Sequence, residues 1–118
     1  MKKIFYLSTC NTCQRIIDEL GGAEQFELQD IKSEPMTAAQ LDALQTAVGS
    51  YEALFSRRAR KYRSMGLAKE TLTEADYRRL ILEGYTFLKR PVVVIEDAVF
   101  VGNAKKTVAA AREKLKNA

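Results

Sequence analysis

Apolar residues open the chain as a short continuous run and then switch to helical spacing. Lys3 to Leu7 carries Ile4-Phe5-Tyr6-Leu7, which predicts a buried strand. Beyond Cys10 the apolar positions Ile16, Ile17 and Leu20 recur every three to four residues, predicting a helix capped by Thr9 or Asn11 and stopped by Gly21-Gly22. Residues 26–31 alternate apolar and polar and read as a second strand. Pro35 breaks the chain, and Thr37 caps a helix with Leu41, Leu44 and Val48 on one face and Gly49 at its end. Residues 51–65 predict one or two short helices closed by Gly66. Thr73 then opens another, carrying Tyr77, Leu80 and Ile81 as far as Gly84. Pro91 precedes Val92-Val93-Val94-Ile95, the strongest strand signal, and Glu96-Asp97 turns the chain into Ala98–Val101 as a β-hairpin. Lys105 to Lys116 predicts a final Ala-rich helix with basic residues in its last turn, as the helix dipole prefers.

The resulting order is β-α-β, a helical middle, then β-β-α. Two strands, a hairpin and flanking helices fit one mixed four-stranded sheet covered on both faces. The fold class is therefore α/β: a single domain over 1–118, with a helical insertion at about 31–88 between the halves. With Cys10 and Cys13 at the first βα junction and a proline opening the third strand, this arrangement looks like a thioredoxin-like fold.

Composition narrows the class. At 118 residues and 47% hydrophobic, the chain has enough apolar material for one core, with no repeat, linker or low-complexity tract. The apolar run after Met1-Lys2-Lys3 is too short for a signal peptide, and no segment has the length of a membrane span. The expectation is a soluble, cytoplasmic protein. There a lone pair of cysteines is redox-active or metal-binding more often than structural. Zinc would want two further ligands, and the chain has no other cysteine and no histidine, so no metal is expected.

The net charge of +4 is modest but unevenly placed: residues 57–63 carry five positive charges in seven positions. The plain reading is a solvated helix face; the sharper ones are an oxyanion pocket or a surface for an acidic partner. No aromatics interleave to stack bases, so direct nucleic-acid binding is not expected.

The chemistry centres on Cys10-Asn11-Thr12-Cys13. The spacing sets two thiols one helical turn apart, within reach of a disulfide. It also puts the first among the unpaired N–H groups of a helix N-terminus, which favours its thiolate.

The chain resembles the arsenate reductase family of the glutaredoxin-linked type, which includes the Spx-like regulators. Three stretches carry the likeness: residues 8–13, Ser-Thr-Cys-Asn-Thr-Cys; residues 54–67, from Leu54-Phe55-Ser56-Arg57-Arg58 to Met65-Gly66-Leu67; and Leu88 to Val94 with Val101-Gly102. The resemblance implies that Cys10 is a nucleophile that attacks an oxyanion such as arsenate. It implies that the backbone of Thr9, Asn11, Thr12 and Cys13, with Arg57 and Arg58, helps to bind the anion. It places Arg90 at the family's Arg-Pro motif, where it would clamp the oxyanion, and makes Pro91 a cis-proline at the site. No bound cofactor is implied; glutathione would serve as co-substrate and glutaredoxin, or another thiol reductant, as partner.

The departures shape two readings. Arsenate reductases of this type carry a histidine ahead of the nucleophile where this chain has Tyr6, here read as core. Gly102 replaces a family arginine, Ser56 stands at a middle-segment arginine, and Cys13 adds a second thiol. The first reading is an arsenate-reductase-like enzyme in which Cys10 attacks and Cys13 resolves the adduct as a disulfide. The alternative is a redox-sensing regulator of the Spx type that binds the RNA polymerase α subunit.

Overall fold

The structure is a computed structural model that describes residues 1–117. Those residues form two compact units. One comprises residues 1–34 together with the described residues from 90 onward; the other comprises residues 35–89.

The first unit is built on a four-stranded sheet in the order β2-β1-β3-β4. Strand β1 (Lys2–Tyr6) runs parallel to β2 (Glu27–Asp30) and antiparallel to β3 (Val92–Ile95), which pairs with β4 (Ala98–Val101) as the predicted hairpin. Ile4 lies opposite Val93 and Phe5 opposite Val92, so the two faces alternate in step across the centre of the sheet. On one face Ile4, Val93 and Ile95 pack with Ile16, Ile17 and Leu20 of helix α1 (Asn11–Glu19) and with Ala111 of helix α5 (Lys105–Lys116). On the other, Phe5, Val92 and Val94 are equally buried. All four residues of β3 are buried, which explains why that strand is an unbroken apolar run rather than an alternating one.

Small differences from the sequence reading have local causes. Strand β2 starts at Glu27 rather than at residue 26 because the Phe26 N–H is taken by the Gly22 carbonyl at 3.2 Å. Helix α1 is capped by neither Thr9 nor Asn11. Cys10 is the N-cap, with extended φ −98° and ψ 111°, and its carbonyl accepts from the Gln14 N–H at 3.2 Å, while Asn11 is already helical.

The second unit is helical. Helix α2 (Ala38–Val48) and helix α4 (Glu74–Glu83) each begin with a complete capping box, Thr37 with Gln40 and Thr73 with Asp76. Residues 51–65 resolve into a single 3-10 turn at Glu52–Leu54 and the short helix α3 (Arg60–Ser64). The interruption has a backbone cause: the Ser56 N–H donates to the Phe87 carbonyl at 2.7 Å, and Lys89 N–H to the Leu54 carbonyl at 2.8 Å. Phe55 is fully buried there, stacked on Phe87 at 5.3 Å and tilted against Tyr77 at 4.9 Å. Among the described residues no helix is long and apolar enough to cross a membrane.

Candidate active site

Strand β1 ends at Tyr6, and four residues carry the chain into α1. The Cys10 N–H donates back to the Leu7 carbonyl at 3.0 Å, so the loop closes tightly and leaves Cys10 at the mouth of the helix. Cys13 then falls on the inner face of the first turn. Both cysteines are free thiols; Cys10 is half-buried and Cys13 fully buried.

Their environments push the two thiols in opposite directions. Burial raises the Cys10 pKa, but the Cys13 backbone N–H, the Cys13 thiol, the Thr12 backbone N–H and the Arg90 guanidinium together outweigh it. The outcome lies below the ordinary thiol value. Cys10 makes no side-chain capping hydrogen bond of full geometry, so these groups act by facing the sulfur rather than by a formal cap. Cys13 is pushed up to about 11, first by burial and then by its hydrogen bond to the Cys10 sulfur and by the Cys10 charge. The Leu7 backbone and Arg90 oppose the rise. The two thiols, one helical turn apart, are thus shifted in opposite directions, Cys10 down and Cys13 up.

Arg90 enters from the residue just before β3. The Arg90–Pro91 peptide bond is cis, as the resemblance implied. The Pro91 carbonyl accepts from the Gly102 N–H at 2.9 Å, which joins the two ends of the hairpin. Gly102 has φ +94°, a left-handed conformation in which a side chain is strained although the space around it is open. A glycine at this turn is thus a backbone requirement here. Tyr6 is half-buried and packs against the apolar cluster under the sheet.

Sequence reasoning missed Asp30, the last residue of β2. Its Oδ1 accepts from the Ser8 N–H at 3.3 Å and the Lys32 N–H at 3.2 Å, and Ser33 Oγ donates to its Oδ2 at 3.3 Å. The Ser8 side chain, foremost, and these partners hold its carboxyl below the usual carboxylate range. The visible signal was an Asp at a strand end with Ser three residues on, and its bond from the Lys32 N–H is that of an Asx turn.

The sheet unit therefore gathers Cys10, Thr12, Cys13 and Arg90, with Thr9 and Asn11 exposed on either side of Cys10. Arg57 and Arg58 belong to the helical unit. Arg57 donates to Glu52 Oε2 at 2.7 Å and to the Tyr77 hydroxyl at 2.9 Å, with its guanidinium 5.7 Å from the Tyr77 ring centre. Arg58 is exposed and lines a cavity of about 330 Å³ with Arg57, Ala59, Arg60, Arg63 and Ser64. Among the described residues no cluster of three His, Cys, Asp or Glu side chains is placed to hold a metal ion.

A sequence model of the ArsC family matches residues 5–111. No curated protein matches the chain significantly in sequence. Among solved structures, the arsenate reductase of Vibrio cholerae is similar with a TM-score of 0.78 at 16% identity, over 93% of this chain and 96% of that one. An arsenate reductase related protein of Brucella melitensis gives a TM-score of 0.66 at 23% identity, over 92% of each chain. A protein of Staphylococcus aureus gives a TM-score of 0.72 at 24% identity, over 93% of this chain and 97% of that one.

Proposed function

We propose, from the premise that the chain belongs to the ArsC family, that it is a thiol–disulfide oxidoreductase with Cys10 as nucleophile and Cys13 as resolving thiol. The observation that carries this reading is the placement of two free thiols one turn apart, Cys10 as the N-cap of α1 and Cys13 buried inside its first turn, which shifts their pKa values in opposite directions. The lowered Cys10 thiol gives up its proton more readily than an ordinary thiol, which favours attack without a general base and suits a chain with no histidine.

With an arsenate-like oxyanion the electrons balance within the pair. The Cys10 thiolate attacks the pentavalent arsenic; a sulfur–arsenic bond forms and an oxygen leaves as water after taking a proton. Once Cys10 is bound in the adduct its negative charge is gone, so that contribution to the raised Cys13 pKa disappears, while the larger one from burial remains. Cys13 then loses its proton and attacks the Cys10 sulfur. The sulfur–sulfur bond forms, the sulfur–arsenic bond breaks, and its electron pair stays on arsenic, which leaves as trivalent arsenite. Two glutathione thiols, delivered directly or through glutaredoxin, reduce the Cys10–Cys13 disulfide and leave as oxidised glutathione. Arg90 and the N–H groups of the Thr9 to Cys13 loop would hold the anion's oxygens. The reaction needs no bound cofactor and suits the cytoplasm, where thiol reductants are abundant.

The test is arsenite formation from arsenate with glutathione and glutaredoxin, using the wild type, Cys10→Ser and Cys13→Ser. The reading expects turnover that Cys10→Ser abolishes and Cys13→Ser reduces. Turnover untouched by Cys10→Ser would overturn it.

A second reading is favoured by Tyr6 and Gly102, which stand where arsenate reductases of this type carry a histidine and an arginine. In it the same thiol pair senses oxidants, and the protein binds the RNA polymerase α subunit in one redox state. Binding of reduced and oxidised protein to the isolated α C-terminal domain tests it; equal or absent binding in both states removes it.

A further inference from the structure

Four arginines, Arg57, Arg58, Arg60 and Arg63, surround one cavity of about 330 Å³ whose remaining wall is Ala59 and Ser64. Arg57 is paired with Glu52 at 2.7 Å. Among the described residues no carboxylate pairs with Arg58, Arg60 or Arg63, all three of them exposed. The unit's carboxylates are largely engaged elsewhere. Asp42 binds Arg78, Asp76 and Glu83 bind Arg79, and Glu74 accepts from the Tyr51 and Glu52 N–H groups.

Like charges gathered round a concave space repel one another, and an anion carrying several charges relieves that repulsion. The wall also restricts the class of anion. Guanidinium groups fork onto oxyanion oxygens in bidentate pairs. Tyr62 does not line the cavity, and its ring sits edge-on to Phe55 at 6.0 Å, so no aromatic wall is offered to a base. Among the lining residues Ala59 is the one apolar residue, and the aliphatic stems of the arginines complete the apolar part of the wall. The volume lies at the low end of small-ligand pockets, about 300–1,000 Å³, and the concave, solvent-open shape suits a compact group held between the arginines better than a flat acidic protein surface laid across them.

We infer that this cavity is a binding site for a compact polyanion of the diphosphate or triphosphate type. It uses no thiol and stands independently of the redox reading.

The test is isothermal titration of the full chain with inorganic tripolyphosphate, orthophosphate and a tetraglutamate peptide at constant ionic strength. Tripolyphosphate is expected to bind at least about tenfold more tightly than either competitor. The double variant Arg60→Gln/Arg63→Gln is expected to lose at least about tenfold of that affinity with an unchanged circular dichroism spectrum. Tripolyphosphate binding no tighter than orthophosphate overturns the inference, as does unchanged affinity in the double variant. Tighter binding of the peptide also overturns it and assigns the face to an acidic protein partner.

Discussion

The Asp30 carboxylate reaches from the end of β2 to the Ser8 backbone N–H at 3.3 Å, tying the loop that leads to Cys10 to the neighbouring parallel strand. The same carboxylate organises its own turn through Lys32 and Ser33. Replacing Asp30 by Ala is expected to slow Cys10 alkylation by iodoacetamide and to lower stability by about 1 kcal/mol, a typical net value for exposed charge-assisted bonds. Asp30→Asn keeps one acceptor oxygen and should lose less. Because the folded carboxyl pKa is depressed, its stabilisation is present above the unfolded value, about 4, and is lost as pH falls through the lower folded value. Denaturant titrations at neutral pH and in acid check both statements.

Cys10 and Cys13 should titrate in order. Alkylation followed by peptide mapping is expected to label Cys10 first, with a midpoint below that of an ordinary thiol. Cys13 should react only as pH approaches about 11. Arg90 acts on Cys10 less than burial and the Cys13 and Thr12 groups do, so Arg90→Gln should raise the Cys10 midpoint only slightly. Anion binding should suffer more than thiol reactivity in that variant, since the guanidinium fork is lost altogether. Equal labelling of the two cysteines at neutral pH would refute the assignment.

Acid should loosen the helical unit through Asp42. Arg78 foremost, at 2.8 Å and 3.1 Å, and the Tyr51 hydroxyl at 2.6 Å hold this carboxyl down to about 2. The sign follows from that depression: stability is present above the unfolded carboxylate value and is lost as pH falls toward about 2. Asp42→Asn should flatten this part of the pH–stability curve, measured by thermal denaturation between neutral pH and strong acid.

Phe55 anchors the interruption between the 3-10 turn and α3. Truncation to Ala removes a fully buried ring with three aromatic neighbours and should cost about 3–5 kcal/mol in chemical denaturation. A loss below about 1 kcal/mol would mean that the ring is not the packing centre described.

Much of this architecture could be read from local pattern. Val92–Ile95, Ala98–Val101 and Lys105–Lys116 lie where the apolar runs, the Glu96-Asp97 turn and the dipole-matched end placed them, because each is specified by neighbours in sequence. Thr37 and Thr73 were likewise legible as caps. What escaped depended on partners distant in sequence. The break after Leu54 is held by Phe87 and Lys89, and the loop that leads to Cys10 by Asp30, twenty-two residues beyond Ser8. Cys10 as cap was missed because capping propensity favours Thr and Asn, whereas the Leu7 carbonyl fixes the turn through the Cys10 N–H. The opposite displacement of the thiols was half visible. Spacing placed Cys10 at a helix start, but the full burial of Cys13 is a property of the packed unit.

The most direct measurement is the state of both cysteines after a single turnover. Reduced protein is mixed with equimolar arsenate without added thiol, quenched in acid and mapped by mass spectrometry. The account predicts a Cys10–Cys13 disulfide, with one arsenite released per bond formed, and no such bond in Cys10→Ser. Arsenite released while Cys13 remains a free thiol would contradict it, and so would a thiol pair left untouched by the anion.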